Sequence, residues 1–108
     1  MQLPPLSSLQ FLVLQIIGGR EISGRTLREE MARQKQRKSL PAFYQLMARL
    51  EDSKFVVGSY RPLEIDGQTF KERWYKITGP GARAIRDTAD FYATAKPLFG
   101  MKGGMANG

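Results

Sequence analysis

One stretch of the sequence, residues 39–57, constrains the fold more than any other, because a capped helix runs directly into a strand within it. Ser39 is a favourable N-cap, and Pro41 occupies the first turn, where the missing N–H of proline costs nothing. Apolar residues then recur at helical spacing, at Leu40, Phe43, Met47 and Leu50. One face of this helix is therefore predicted to lie in a hydrophobic core.

The opposite face of the same helix carries small or hydrogen-bonding side chains in place of the long charged side chains that usually cover a solvated helix. Its residues are Pro41, Ala42, Gln45, Ala48, Arg49 and Asp52. A bare face of this kind is suited to close approach by a partner molecule.

The charge balance favours a polyanionic partner. The 108 residues include 17 Lys and Arg against 10 Asp and Glu, which gives a net charge of +7.

Histidine and cysteine are both absent from the sequence, so the usual general base, the commonest metal ligand and the thiolate nucleophile are missing. We therefore expect one small domain with no enzymatic activity, no metal site and no cofactor.

The N-terminal residues lack the basic segment of a signal peptide. The apolar run 11–17 is interrupted by Gln15 and falls short of the ~20 residues that span a bilayer. We expect cytoplasmic localisation and no membrane partner.

Two helices are predicted before residue 39. Ser7 or Ser8 caps the first, whose main apolar stripe is Leu9, Leu12, Val13 and Ile16. Other sides of this helix are apolar too, through Phe11, Leu14 and Ile17. A core of this size cannot bury the whole circumference of a helix. The extra apolar face therefore packs either against a second subunit or against the C-terminal helix of the same chain.

The second helix, residues 24–36, is capped by Ser23 and turns Leu27 and Met31 inward. A basic run without acids follows, consisting of Arg33, Lys35, Arg37 and Lys38. Such cations either complement the helix dipole or contact phosphates beside the helix that begins after Ser39, and we favour phosphate contact.

A β-hairpin follows the central helix. The segment from Phe55 to Ile65 is extended, and Asp66-Gly67 is a strong signal for a two-residue turn with positive φ at both positions. The returning strand, residues 68–77, has no purely apolar face, so its base must pack on the helices while its tip projects. Trp74 and Tyr75 are predicted to anchor the hairpin on the helices.

A last helix begins near Thr78, which caps it, and ends or kinks at Pro97. It carries two adjacent apolar stripes, which are Ile85, Ala89 and Tyr92, and Ala84, Thr88, Phe91 and Ala95. The tail, residues 100–108, contains four glycines and is predicted to be disordered.

The order helix, helix, helix, hairpin, helix is the layout of a winged helix-turn-helix. The predicted fold is therefore mainly α with a small antiparallel hairpin, a winged helix-turn-helix over residues 1–78 and a C-terminal helix over residues 79–99. In this layout the third helix enters the major groove of DNA, and nearby basic residues neutralise phosphates.

Three motifs within residues 7–95 resemble the PadR-like transcriptional regulators. The run Arg73 to Thr78, followed by Gly81, is similar to the family's Arg-Tyr-Tyr-x-Leu-Thr-x-x-Gly. Tyr44, Met47, Leu50 and Glu51 resemble its Tyr-x-x-Leu-x-x-Leu-Glu, and residues 22–24 resemble its small-residue turn. The chain departs from the family at Arg25, where an aromatic is common, and at Lys54, where glycine is usual.

The resemblance implies a homodimer formed by the last helix packed with the first, in a short form without a large C-terminal domain. The predicted interface residues are Phe11, Leu14, Ile85, Ala89, Phe91 and Tyr92. It also implies that a small apolar effector binds at the dimer interface, where Phe91, Tyr92 and Phe99 are candidate lining residues.

Base readout is predicted for Ala42, Gln45 and Arg49, because a Gln amide pairs with an adenine edge and Arg with a guanine edge. Backbone contacts are predicted for Arg25, Arg37, Lys38, Ser39, Tyr44, Arg61, Lys71 and Arg73.

The sequence thus predicts a homodimeric, sequence-specific DNA-binding regulator, a repressor that reads a palindromic operator with helix 39–53 and a basic wing. The alternative is a winged-helix protein-interaction or assembly module without specific DNA binding. The operator sequence, the regulated genes and the choice between repression and activation are not encoded in any pattern of the sequence.

Overall fold

A computed structural model describes the backbone of residues 3–107 and the side chains of residues 3–95. Its elements in chain order are α1 (Ser8–Ile17), β1 (Ile22–Ser23), α2 (Gly24–Arg33), α3 (Leu40–Asp52), β2 (Val56–Ile65), β3 (Gln68–Ile77) and α4 (Gly79–Asn107). The predicted class, mainly α with a small antiparallel hairpin in a winged helix-turn-helix, is confirmed.

The three N-terminal helices and the base of the sheet enclose one core. Its fully buried side chains include Val13, Leu14 and Ile17 of α1, Leu27 and Met31 of α2, and Phe43, Met47 and Leu50 of α3. The predicted core face of α3 is therefore confirmed except at Leu40, which is the first helical residue and is exposed because it lies beyond the edge of the core.

The inward face of α1 was predicted only in part, since Val13 is fully buried and Leu9 and Ile16 pack against the core from its edge. The buried residues are Val13, Leu14 and Ile17, whereas Leu9, Leu12 and Ile16 of the predicted stripe are only partly buried. The reason is that α1 is apolar nearly all round, so periodicity alone does not select the side that meets α2 and α4. Ser7 caps this helix and, with Gln10, forms a capping box.

The hairpin and its two-residue turn lie where the sequence predicted them. Strands β2 and β3 pair antiparallel from Val56 opposite Ile77 to Ile65 opposite Gln68. Asp66 and Gly67 have φ values of 50° and 78°, the positive sign at both turn positions that the sequence predicted.

The sheet has a third strand that the sequence did not reveal. The two residues of β1 pair antiparallel with β3, giving the order β1-β3-β2. A strand of two residues is too short to show any periodicity in the sequence. Its second residue, Ser23, has another role as well, because it caps α2 by accepting the Thr26 N–H at 3.1 Å.

Helix α3 ends in a Schellman motif whose left-handed residue is Lys54 rather than glycine. Lys54 has φ 66°, its N–H donates to the Glu51 carbonyl, and the Phe55 N–H donates to the Leu50 carbonyl, both at 2.9 Å. The cap geometry that glycine usually supplies is thus present despite the side chain at this position.

The start of α4 is bound to the same junction. Thr78 accepts the Gly81 N–H at 3.0 Å, which confirms it as the cap, and its hydroxyl donates to the Lys54 carbonyl at 2.5 Å. A Cβ on Gly81 would overlap the Phe55 carbonyl, so only glycine fits this close approach. The end of α3, the start of β2 and the start of α4 are therefore fixed relative to one another.

Helix α4 continues to Asn107, so it does not end at Pro97, and the predicted alternative of a kink at Pro97 stays a prediction. The second predicted stripe, with Ala84, Thr88 and Ala95, is the one that faces inward, because Ala89 and Tyr92 of the first stripe are exposed. The side chain of Phe99 lies outside the described side chains, and residues 100–107, for which a disordered tail was predicted, form the last part of α4.

Replacing Lys54 with glycine is expected to raise the free energy of unfolding by roughly 0.5–1 kcal/mol. The left-handed conformation costs a non-glycine residue about 1–2 kcal/mol, and the greater freedom of glycine in the unfolded chain offsets part of that gain. Urea unfolding of Lys54→Gly, with Lys54→Ala as the matched control that removes the same side chain but keeps Cβ, measures the difference. Equal stability of the two variants would contradict this interpretation of the cap.

Candidate nucleic-acid interface

The predicted readout residues lie side by side on the exposed face of α3. Ala42, Gln45 and Arg49 are all exposed and line one cleft of about 270 Å³ together with Lys38. The other wall of this cleft is the N-terminal end of α1, with Ser7 and Gln10. The structure therefore brings the readout residues together, and it adds α1 as their neighbour.

The start of α3 is fixed by its own cap. The Ser39 hydroxyl accepts the Ala42 N–H at 3.3 Å, and three side chains on the far face are buried in the core. The helix axis is thus set by burial while the readout face stays in solvent. A phosphate contact by Ser39 remains a prediction, and its side chain already serves as the cap.

The turn between α2 and α3 presents a cluster of exposed cations. Arg33, Lys35 and Arg37 are exposed, and Lys38 is half-buried. Lys35 holds φ 60° in a second Schellman motif, in which the Gln36 N–H donates to the Met31 carbonyl at 2.9 Å. Among the ion pairs found for residues 3–95, none involves these four side chains or Arg49.

Three arginines near the wing were predicted to contact the DNA backbone, and each of them is already paired with an acid. Arg25 lies 3.5 Å from Glu72, and Arg73 and Arg61 form ion pairs with Glu51 and Glu21. A guanidinium balanced by a carboxylate contributes less positive potential to a passing phosphate than an unbalanced one. DNA contact by Arg25, Arg61 and Arg73 stays a prediction. The neighbouring carboxylates reduce the electrostatic attraction between these arginines and a phosphate.

Arg61 lies on the face of the sheet that points away from α3. Its guanidinium stacks on the ring of Trp74 at 4.1 Å, and Trp74 donates from its indole nitrogen to Glu72 at 3.1 Å. Trp74 therefore does not anchor the hairpin on the helices as predicted. Counting the register from the Asp66-Gly67 turn would have placed Arg61 opposite Glu72 and beside Trp74.

Tyr75 does anchor the hairpin, as predicted. It is 2% exposed, and its ring lies 6.3 Å from that of Phe43 in an edge-to-face arrangement. Burial, reinforced by the nearby Glu51 carboxylate, raises the pKa of Tyr75 to about 12. The phenol is therefore neutral over the physiological range.

The junction between α3 and the wing is held by Arg73. Its guanidinium pairs with Glu51 of α3 and lies 4.6 Å from the ring centroid of Tyr60 on β2. Both charged side chains are about one-quarter exposed. This placement favours a structural role, in which Arg73 sets the angle between the helix and the hairpin.

Two of the residues predicted to contact the DNA backbone are exposed on the wing side of α3. Tyr44 is 50% exposed and Lys71 is exposed, and both line a second cleft of about 270 Å³ between α3 and the hairpin. Glu51, Tyr60, Arg73 and Tyr75 form the rest of its wall. Tyr44 and Lys71 are thus available to phosphates on the side of α3 opposite Lys38.

Sequence reasoning missed two residues near this surface. Gln10 lies in the readout cleft, and the Ser7-x-x-Gln10 capping box was the signal that could have fixed its place. Arg28 is half-buried beneath the turn, 5.9 Å from the Phe43 ring centroid, and its Nε has no hydrogen-bond partner within the described part of the chain. No sequence pattern distinguished Arg28 from a solvated cation.

The predicted dimer residues do not all share one exposed surface. Leu14 is fully buried within the single chain and is not available to a second copy, which corrects that prediction. Phe11, Phe91 and Tyr92 form an aromatic cluster between α1 and α4, with Tyr92 at 6.3 Å from Phe11 and 5.3 Å from Phe91. Ala89 is exposed and Ile85 is half-buried. α4 thus covers part of the extra apolar face of α1.

Within the described residues, no helix has the length and apolar character needed to cross a membrane. No cluster of three or more potential metal ligands was found in that same part of the chain.

Solved structures share this arrangement. A PadR-family transcriptional regulator from Eggerthella lenta superposes with a TM-score of 0.71 at 20% identity, over 87% of this chain and 80% of that chain. A PadR-like transcriptional regulator from Bacillus cereus gives a TM-score of 0.68 at 19% identity, over 85% and 87% of the two chains. The fold is that of the PadR-type transcriptional regulators. The predicted resemblance is confirmed at the level of the fold.

Bacillus subtilis PadR, solved in complex with operator DNA, has the same PadR-type core. It gives a TM-score of 0.60 at 21% identity and covers 77% of this chain, which spans 47% of that longer chain. No family sequence model and no curated protein sequence matches the chain. All three of these solved structures are of transcriptional regulators.

Gly58→Ala is expected to destabilise the junction by no more than about 1 kcal/mol, because an added Cβ displaces the flexible ends of a partly exposed ion pair. A Cβ there would lie 2.5 Å from the Arg73 guanidinium and from the Glu51 carboxylate. Thermal unfolding measures the effect, with Gly19→Ala as the control because no heavy atom lies within 4 Å of a Cβ at that position. If both variants unfold at the wild-type temperature, the Glu51–Arg73 pair does not hold the wing in place.

Proposed function

We propose that the chain is a homodimeric, sequence-specific DNA-binding regulator that represses transcription by occupying a palindromic operator. The observation that carries the proposal is the exposed triad of Ala42, Gln45 and Arg49 on a helix whose other face is fixed in the core. A PadR-type fold, one member of which was solved with operator DNA, supports the assignment.

The proposed reading helix fits the major groove. An α-helix with its side chains is about 10–12 Å in diameter, and the major groove is about 12 Å wide. Small residues at Ala42 and Ala48 let the backbone approach the base edges. Gln45 then presents an amide that pairs with adenine, and Arg49 a guanidinium that pairs with guanine.

Affinity in this proposal comes chiefly from the turn before α3 rather than from the wing. Arg37 and Lys38 border the readout face, and the described chain supplies no acid to balance them. Lys71 and Tyr44 add contacts from the wing side. This distribution gives a backbone-contact surface on both sides of one inserted helix.

Dimerisation in this proposal uses α1 and α4. The aromatic cluster of Phe11, Phe91 and Tyr92 leaves apolar surface exposed, with Tyr92 at 39%. Two copies related by a dyad present two reading helices to half-sites about one helical turn apart. The same cluster supports the proposal that a flat apolar effector binds there.

Arg49→Ala is expected to lose about 1–3 kcal/mol of discrimination at one base pair of each half-site, because a bidentate guanine contact disappears.

Lys38→Ala is expected to weaken binding to all duplexes and to reduce the slope of log K against log salt by about 0.9 per half-site. Fluorescence anisotropy on a duplex selected by the wild-type chain, and on point variants of that duplex, measures both effects.

Lys76→Ala is the control for charge. Lys76 is exposed on the face of the sheet that points away from α3, and it lines a different cavity. It is expected to bind with nearly wild-type affinity and specificity. Equal affinity of the wild-type chain for every duplex, unchanged by Arg49→Ala, would contradict sequence-specific readout and favour the protein-interaction alternative.

A further inference from the structure

The cleft in front of the readout residues has an unexpected second wall. Its lining includes Lys38 and Arg49 but no acid, whereas the clefts on the wing side contain Glu51 or Glu72. The wall opposite α3 is the first turn of α1, which contributes Ser7, Leu9 and Gln10. The positive charges beside the readout face that have no acid in the same cleft therefore lie on the side of α1.

The orientation of the Gln10 side chain follows from its hydrogen bonds. The Ser7 N–H donates to Gln10 Oε1 at 3.0 Å, and the Gln10 N–H donates to Ser7 Oγ at 3.1 Å. Because a backbone N–H only donates, the amide oxygen must face Ser7, which leaves the amide NH2 group outside the capping box. The capping box thus presents a preoriented donor at the cleft.

A helix inserted in the major groove meets phosphates on both rims. On the wing side, Tyr44 of α3 and Lys71 of β3 face one rim, and among the described residues the turn before α3 and the first turn of α1 lie on the other. Neutral amides commonly bind DNA phosphates and fix the register of a protein on the duplex.

We propose, building on the function proposed above, that the Gln10 amide donates a hydrogen bond to a DNA phosphate on the groove rim opposite the wing. Together with Lys38 it forms the second of two backbone clamps around α3. Gln10 sets the register of Gln45 and Arg49 along the groove, and it does so as a positioning residue that reads no base.

Gln10→Glu separates this role from the structural role of the cap. A carboxylate accepts the Ser7 N–H as the amide does, and glutamate is a preferred residue at this position of a capping box. The variant therefore keeps α1 folded while it replaces the NH2 donor with a negative charge. Gln15→Glu is the matched control, because it makes the same change at an exposed site on the same helix that lines a different cavity.

The probe is a fluorescein-labelled duplex that the wild-type chain selects from a random library, titrated at fixed salt, with thermal unfolding of each variant alongside. Gln10→Glu is expected to unfold at or above the wild-type temperature and to bind at least about tenfold more weakly than Gln15→Glu, since a charge-assisted hydrogen bond is lost.

Equal affinity of the two variants would overturn the proposal, whether both match the wild type or both are weakened by the added charge. A wild-type chain that retains no duplex in the selection would instead overturn the proposed function, and this inference with it. Selection of a duplex by the wild type followed by equal binding of the variants would leave the proposed function intact and remove only the role of Gln10.

Discussion

The structure depends on burying one face of α3 completely while leaving the other face bare. Phe43, Met47 and Leu50 fill the centre of a small core, so the helix has no freedom to rotate. Its C-terminal end is fixed as well, because the Schellman motif at Lys54 is tied through Thr78 to the start of α4. A helix held at both ends and along one side presents its remaining side chains in a constant geometry, as recognition of a rigid duplex requires.

Charge is divided between structural and available cations in a way that composition does not show. Three arginines around the hairpin are used within the molecule, in pairs with Glu21, Glu51 and Glu72. The more exposed pairs of Arg25 and Arg61 add less than about 1 kcal/mol each to stability, so their main effect is to reduce the positive potential of the wing. The part-buried pair of Arg73 with Glu51 also fixes the hairpin on α3. The turn before α3 retains its charge, which moves the expected phosphate contacts toward α3 and α1.

Local signals predicted most of the fold, and tertiary choices account for what they missed. The Asp66-Gly67 turn, the Ser39 cap and the period of α3 are properties of neighbouring residues, so the hairpin and α3 followed from the sequence. The buried side of α1 and the pairing of Arg61 with Glu21 depend on how elements meet, which periodicity does not encode. Lys54 is a third case, because the surrounding hydrogen bonds impose a backbone conformation that a lysine does not prefer.

Methylation interference on a duplex selected by the wild-type chain tests the central claim most directly, because dimethyl sulfate marks guanine N7 in the major groove and adenine N3 in the minor groove. Insertion of α3 predicts that guanine methylation prevents binding at two clusters about one helical turn apart, while adenine methylation has no effect. Interference from adenine N3 alone, or from neither base, would contradict an account in which the bare face of α3 reads the major groove.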